Sequence, residues 1–211
     1  MKTRIIMVRH GQSESNEQLV YTGVTDVKLT EVGKSQAQLC AKHLAGMDID
    51  TVYTSPLKRA KYTAVLFSRL TGLPFTEVYD LREMDGGDWE GISLIEARDL
   101  HPEEFGIWVN DFGKVDFPNG ESTESFSKRL IAAVKAIAEE NKGKTVLLTV
   151  HATPIRVITA AARKVPISEI SRVPWARNSS LNIFDYEDGE FTEVETDITD
   201  HLGELTVDVN F

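Results

Sequence analysis

Four side chains that can carry positive charge sit directly after, or a few residues beyond, strand-like runs. Arg9 and His10 follow Ile5-Ile6-Met7-Val8, Arg59 lies in SPLKRA just past DTVYT, and His151 follows TVLLTV. In an open parallel sheet, ligands bind beyond the carboxyl ends of the strands, beside helix N-termini that offer N–H donors and a positive dipole end. Two guanidinium forks suit a tetrahedral oxyanion. Arg9, His10, Arg59 and His151 therefore outline a phosphate pocket. A neutral imidazole is also a good nucleophile near neutral pH, and close arginines favour its neutral form. Attack on a phosphomonoester would form a phosphohistidine and divide one hard step into two. The leaving alkoxide needs a proton, and Glu83 in LREMDGGDWEG is the candidate acid. Nearby arginines would lower its pKa, whereas an acid working at neutral pH needs it raised.

These residues require elements to position them. Residues 3–8 and 50–54 read as buried strands, 75–79 as a further short strand, and 145–150 as the strongest strand of all. Residues 30–46 read as a helix, with Ala37, Cys40, Ala41 and Leu44 on one face, Thr30 as N-cap and Gly46 as the stop. Ser55 followed by Pro56 suggests the cap and first position of a helix running to Gly72. Residues 123–141 place Phe126, Leu130, Val134 and Ile137 on one face and end before Gly143. A helix over 154–164 and a hairpin of 180–186 and 190–195 around Asp188-Gly189 complete the pattern. Strands alternating with helices imply an α/β fold with a largely parallel central sheet. A single domain over residues 1–211 is expected, with a cap-like, glycine- and aromatic-rich excursion at about 84–120. Trp89, Phe105, Trp108, Phe112 and Phe117 are expected to pack that cap rather than to cage a substrate.

Bulk properties narrow the field. The 211 residues carry 23 Lys+Arg against 33 Asp+Glu, a net charge of −10. Such an acidic surface argues against nucleic-acid binding, which rests on neutralising phosphates. No apolar run reaches the ~20 residues needed to span a bilayer. The N-terminal apolar run is too short for a secretory signal, and Cys40 is the only cysteine. A cytoplasmic protein is expected, with no membrane association; homodimerisation is compatible with the sequence but not demanded by it. Five histidines show no metal-ligating spacing. His43 and His101 are expected on the surface or a packed edge, and His201 in solvent. Gly143-Lys144-Thr145 is not a P-loop, because Ala138 stands where glycine is required and the triplet precedes a strand. A serine-hydrolase elbow, G-x-S-x-G, is absent.

The motifs VRHGQSESN (8–16), TGVTDVKLTEVGKSQA (22–37), YTSPLKRAKYTA (53–64), LREMDGGDWEG (81–91), PNGES (118–122) and TVHATPIR (149–156) resemble, in order and spacing, the histidine phosphatase superfamily in its phosphoglycerate-mutase-like branch. The resemblance implies a three-layer α/β/α sandwich and chemistry without metal or cofactor. It implies His10 as the phosphorylated nucleophile, Arg9, Arg59 and His151 lining the phosphate pocket, and Glu83 as general acid and later base. Asn16 and Gly23 fall where the family contacts substrate or phosphate. The family mostly has glycine after the second histidine; here Ala152 and Thr153 follow, and an Ala152 N–H is still available to phosphate. Mutases typically carry Arg and then Tyr-Gly after the acid, whereas Met84-Asp85-Gly86 follow Glu83. The G-x-W-E-G spelling from Gly87 to Gly91 resembles the phosphatases. Hydrolysis of a small phosphorylated metabolite is therefore expected. Phosphoryl transfer by a phosphoglycerate mutase, an isomerase, is the alternative. A non-catalytic phosphometabolite-binding module is the third reading, and the presence of His10, Glu83 and His151 weighs against it.

Overall fold

The computed structural model describes residues 1–206; the last five residues of the domain expected over 1–211 lie outside the described residues. A six-stranded sheet runs in the order β3-β2-β4-β1-β5-β6. These strands are β1 (Thr3–Arg9), β2 (Thr51–Thr54), β3 (Phe75–Glu77), β4 (Thr145–Val150), β5 (Leu181–Glu187) and β6 (Glu190–Ile198). β1 to β4 are mutually parallel where they pair; β5 and β6 close one edge as an antiparallel hairpin. The expected hairpin thus forms, and the expected strand at 75–79 shortens to three residues.

Side-chain alternation along the central strands divides the molecule into layers. Ile6 and Val8 of β1 and Leu147 of β4 face the buried stripe of α2 (Glu31–Leu44) and α3 (Lys58–Thr71), including Cys40, Leu44 and Phe67. Ile5, Met7, Val146 and Leu148 face the other way, onto α6 (Thr123–Glu140) and α7 (Ala152–Ala162). The result is a three-layer α/β/α sandwich. Two more helices, α4 (Leu94–Leu100) and α5 (Pro102–Asn110), with short 3₁₀ turns at Gly87–Trp89 and Phe112–Lys114, form the excursion beyond the sheet. No helix among the described residues is long and apolar enough to cross a membrane.

Helix starts matter most for the site. Thr30 caps α2 as expected, accepting from the Gly33 amide at 3.0 Å. Ser55 and Pro56 do not start α3: the helix begins at Lys58 after an extended Leu57 with no side-chain cap. The Ser55 hydroxyl instead lies 2.8 Å from His151 Nε2 and accepts from the Leu57 amide at 3.3 Å, in the turn before the helix. Arg59 still falls in the first turn. α7 starts two residues earlier than expected, at Ala152, directly after an extended His151. Pro154 is tolerated there because amides of the first turn have no intrahelical acceptor.

His201 departs from expectation. After β6 the chain turns back over α2 in a 3₁₀ segment, Asp200–Leu205, tied by Gln36 Nε2 donating to the Leu205 carbonyl at 2.8 Å. His201 is half-buried there: its Nε2 donates to the Ser179 carbonyl at 3.0 Å and its ring stacks on that of exposed His43 at 5.1 Å. His101 packs at the edge of the excursion, 6.1 Å from the Trp89 ring.

Candidate active site

Parallel register brings the two histidines together. Arg9 pairs with Val150 across β1 and β4, so both strands end at the same level. The next residues, His10 and His151, stand side by side with ring centroids 5.2 Å apart. β2 joins β4 with Thr54 opposite Thr149, which places Ser55 at the same edge. Glycine at position 11 lets the chain after His10 pass close to α2: a Cβ there would lie 2.1 Å from the Gly33 carbonyl oxygen.

His10 is 5 % exposed, and its Nδ1 lies 2.7 Å from the Gly11 carbonyl. A carbonyl only accepts, so Nδ1 bears the proton and Nε2 keeps its lone pair. Burial first, then Arg59 and Arg9, hold the imidazole pKa well below its ordinary value. His151 is wholly buried and also held neutral, by burial and then by Arg59. With Ser55 at its Nε2, its Nδ1 has no hydrogen-bond partner among the described residues.

The two guanidinium groups are fixed by carbonyls, which orient them without neutralising them. Arg9 donates to the Ala176 carbonyl at 2.7 Å, and its Nε has no partner among the described residues. Burial, the largest cause, and Arg59 lower its pKa to about 10, so it remains a cation at neutral pH. Arg59 donates to the carbonyls of Thr25 at 2.9 Å and Gly23 at 2.6 Å. Those carbonyls belong to a loop whose amides converge on one carboxylate. Glu90 accepts from Gly23 N (2.9 Å), Val24 N (2.9 Å), Thr25 N (3.1 Å) and Gly86 N (3.0 Å).

Glu83 is 8 % exposed. Its carboxyl accepts from the Met84 amide at 2.8 Å and the Thr153 amide at 3.1 Å. Those bonds and Arg59 pull its pKa down, but burial outweighs them and the net shift is upward. The conflict between arginine proximity and the needs of an acid resolves toward the acid.

A cavity of about 320 Å³ opens over these groups, with Arg9, His10, Arg59, Glu83, Asn16 and Ala152 on its wall. Asn16 Oδ1 accepts from Ser13 N at 3.1 Å and Asn178 Nδ2 at 3.2 Å, which leaves its NH₂ group for a ligand. Gly23 is not on the cavity wall. It orients Arg59 through its carbonyl, and a Cβ there would meet the Met84 carbonyl oxygen at 1.9 Å. His151 lies behind the wall, against His10 and Ser55. Among the described residues no group of three or more His, Cys, Asp or Glu could hold a metal ion.

Sequence reasoning missed Ser55, Glu90, Thr153 as a partner of Glu83, and Asn178. Asn178 donates to the His10 carbonyl at 3.0 Å as well as to Asn16. No local signal marks Asn178 or singles out Glu90 from its acidic neighbours. The excursion's aromatics divide. Trp89 packs on Phe105 and Phe117 at 6.2 and 5.2 Å, as cap core, whereas Trp108 and Phe112 also face the cavity.

Comparison with known proteins shows a family and a fold. A family model described as "Histidine phosphatase superfamily (branch 1)" matches residues 5–199. Phosphoserine phosphatase 1 of Hydrogenobacter thermophilus is 32% identical over 210 residues, 98% of each chain. The structure of Bacillus stearothermophilus YhfR superposes with a TM-score of 0.90 at 27% identity, covering 95% of this chain and 99% of the other. A mycobacterial glucosyl-3-phosphoglycerate phosphatase does so with a TM-score of 0.84 at 25% identity, covering 94% of this chain and 100% of the other.

Proposed function

The chain belongs to the histidine phosphatase superfamily, branch 1, and from that premise we propose that it hydrolyses small phosphomonoesters without a metal, through a phosphohistidine on His10. One observation carries the assignment of His10: its Nδ1 proton is held by the Gly11 carbonyl, so an unprotonated Nε2 is available in a pocket that contains two guanidinium groups. Nε2 bonds to phosphorus as the ester P–O bond breaks. Arg9 and Arg59 take charge on the equatorial oxygens, and His151, packed against His10 behind the wall, backs the same group. Glu83, whose pKa burial raises, gives its proton to the leaving alkoxide. The resulting carboxylate then accepts a proton from water as that water attacks phosphorus and the P–N bond breaks, which restores both groups. Asn16 and the Ala152 amide contribute further donors. A cytoplasmic setting is part of the same reading, supported by the single unpaired thiol, Cys40.

Transfer to a second phosphate acceptor, as in a mutase, is disfavoured by the cavity, where Arg9 and Arg59 are the only lining cations among the described residues. The test is phosphate release and acid-labile ³²P retention by wild type and His10→Ala, in EDTA. Wild type should turn over and trap label, and His10→Ala should do neither, a loss of at least about 10³-fold. Full activity of His10→Ala, or EDTA inhibition reversed by metal, refutes the mechanism. Isomerisation of 3-phosphoglycerate with little phosphate release identifies a mutase instead.

A further inference from the structure

Groups that lie off the cavity wall converge on the strand end that carries His10. The His10 carbonyl accepts from Asn178 Nδ2 at 3.0 Å and from the Ser179 amide at 3.2 Å, and the same amide lies 3.1 Å from the Arg9 carbonyl. Ser179 has a φ of 55°. That is a left-handed conformation which residues with a side chain seldom adopt, and it persists only where the surroundings hold it. Two ties do so here. On one side Arg177 Nε donates to Asp197 Oδ2 at 2.8 Å, near the end of β6. On the other the Ser179 carbonyl lies 3.0 Å from His201 Nε2. A carbonyl only accepts, so His201 Nε2 carries the proton. The ring that delivers it is seated by its stack on His43 of α2 at 5.1 Å.

The segment that carries His201, Asp200–Leu205, reaches the same loop by a second route. Gln36, wholly buried in α2, donates from Nε2 to the Leu205 carbonyl at 2.8 Å and accepts at Oε1 from the Gln12 amide at 2.8 Å. One partner only accepts and the other only donates, so the two ends of the Gln36 amide cannot be exchanged. Gln12 lies two residues past His10 and just before α1 (Glu14–Gln18). The strap thus grips the chain on both sides of the His10 side chain, through Ser179 at residues 9 and 10 and through Gln36 at residue 12. The guanidinium groups and the acid are held elsewhere: Arg9 by the Ala176 carbonyl, Arg59 by the loop 23–25, Glu83 by the Met84 and Thr153 amides. Resting on the phosphohydrolase reading, we propose that the strap of residues 200–205 aligns the nucleophile, with His201 and Gln36 as positioning residues that set where the His10 imidazole stands without touching substrate. Cutting either tie leaves the phosphate-binding groups in place and loosens the backbone beneath His10. The loss then falls on in-line attack rather than on phosphate affinity.

The test is phosphate release from phenyl phosphate, with rates expressed per folded molecule and the folded fraction taken from thermal unfolding. His201→Phe keeps a ring to stack on His43 and removes the donor. Its kcat should fall about tenfold, with KM and the inhibition constant of inorganic phosphate within about twofold of wild type. His201→Gln presents an amide N–H toward the Ser179 carbonyl and should recover most of that rate. Gln36→Met fills similar space without either hydrogen bond and should show the same loss in kcat at unchanged phosphate affinity. A purely structural role would lower the melting temperature and leave kcat per folded molecule unchanged. A kcat for His201→Phe within about twofold of wild type, or an equal loss in His201→Gln, overturns the proposal and leaves the phosphatase reading intact. If His201→Phe does not fold, Gln36→Met is read against the same twofold limit. No phosphate release by wild type overturns the phosphatase reading and this proposal with it.

Discussion

Glu90 makes no contact with the cavity, yet the structure gives it control of Arg59. Its carboxylate collects four amides, three from the loop 23–25 and one from Gly86. The same loop turns two carbonyls onto the Arg59 guanidinium. Replacing Glu90 by Ala deprives all four amides of their acceptor at once. A hydrogen bond to a charged acceptor is worth about 1.5–3 kcal/mol when buried. Glu90 is half-buried, so water can replace part of each bond. A net loss of about 1 kcal/mol per bond gives about 4 kcal/mol. At 2–4 °C per kcal/mol for a chain of this length, the melting temperature should fall by about 8–16 °C. Freed of its strut, the loop no longer orients Arg59, and a displacement of about 1 Å costs on the order of 100-fold in kcat/KM. Glu90→Gln keeps one acceptor oxygen and turns an NH₂ toward an N–H, so it should fall between. The assay is thermal melting with phosphate-release kinetics and the inhibition constant of orthovanadate, with Glu103→Ala, at an exposed helix start, as control. If Glu90→Ala melts within about 2 °C of wild type and keeps vanadate affinity within about threefold, the strut argument is wrong.

Two other predictions rest on charge and burial. Glu83 must be protonated to act as the acid, and its pKa is raised by burial, so the rate should fall as pH rises through that raised value. Glu83→Gln should lose the alkaline limb and about 10²-fold or more in kcat, with less effect on aryl esters, whose leaving groups need less help. An unchanged alkaline limb would remove Glu83 from that role. The histidines bear on stability through the same profile. Both pKa values are depressed in the folded state from 6.5, so their contribution is complete above pH 6.5 and is lost as pH falls toward the depressed values. Chemical denaturation should show stability declining from pH 7 to pH 5, and His10→Gln should shallow that slope. Ser55→Ala leaves His151 Nε2 buried without its 2.8 Å partner, at a cost of about 1–3 kcal/mol, and should slow kcat about tenfold. Unaltered kinetics would make Ser55 merely a filler of the strand end.

The strand-end half of the candidate site is legible in the sequence because its parts are local. Arg9, His10 and His151 stand at strand ends that apolar runs reveal, and Arg59 stands in a first turn. Sheet order then makes them neighbours without further instruction, since β1 is flanked by β4 and β4 by β2. Ser55 shows where local reading fails: Ser-Pro is a sound helix-start pattern, yet the hydroxyl accepts from the Leu57 amide in the turn before the helix and lies 2.8 Å from the buried His151 imidazole. The substrate half has no such locality. Trp175 and Asn178 lie in an irregular stretch with no periodicity to read, and Asn178 reaches the His10 carbonyl across 168 residues of sequence. The aromatics of 89–117 are alike by composition, but Trp89 turns inward to its neighbours while Trp108 and Phe112 reach the cavity. For Phe112 the outcome depends on the docking of its 3₁₀ turn against residues 167–175, where its amide donates to Ser171 Oγ and its ring meets Trp175, a long-range packing outcome. Strand-end chemistry survives as a short motif because two neighbouring residues suffice to build it. The cavity wall at residues 19, 94, 108–112 and 175 is drawn from separate segments that only the folded chain brings together. Catalysis in this chain can therefore be inferred from its motifs, whereas its choice of leaving group has to be read from the assembled wall.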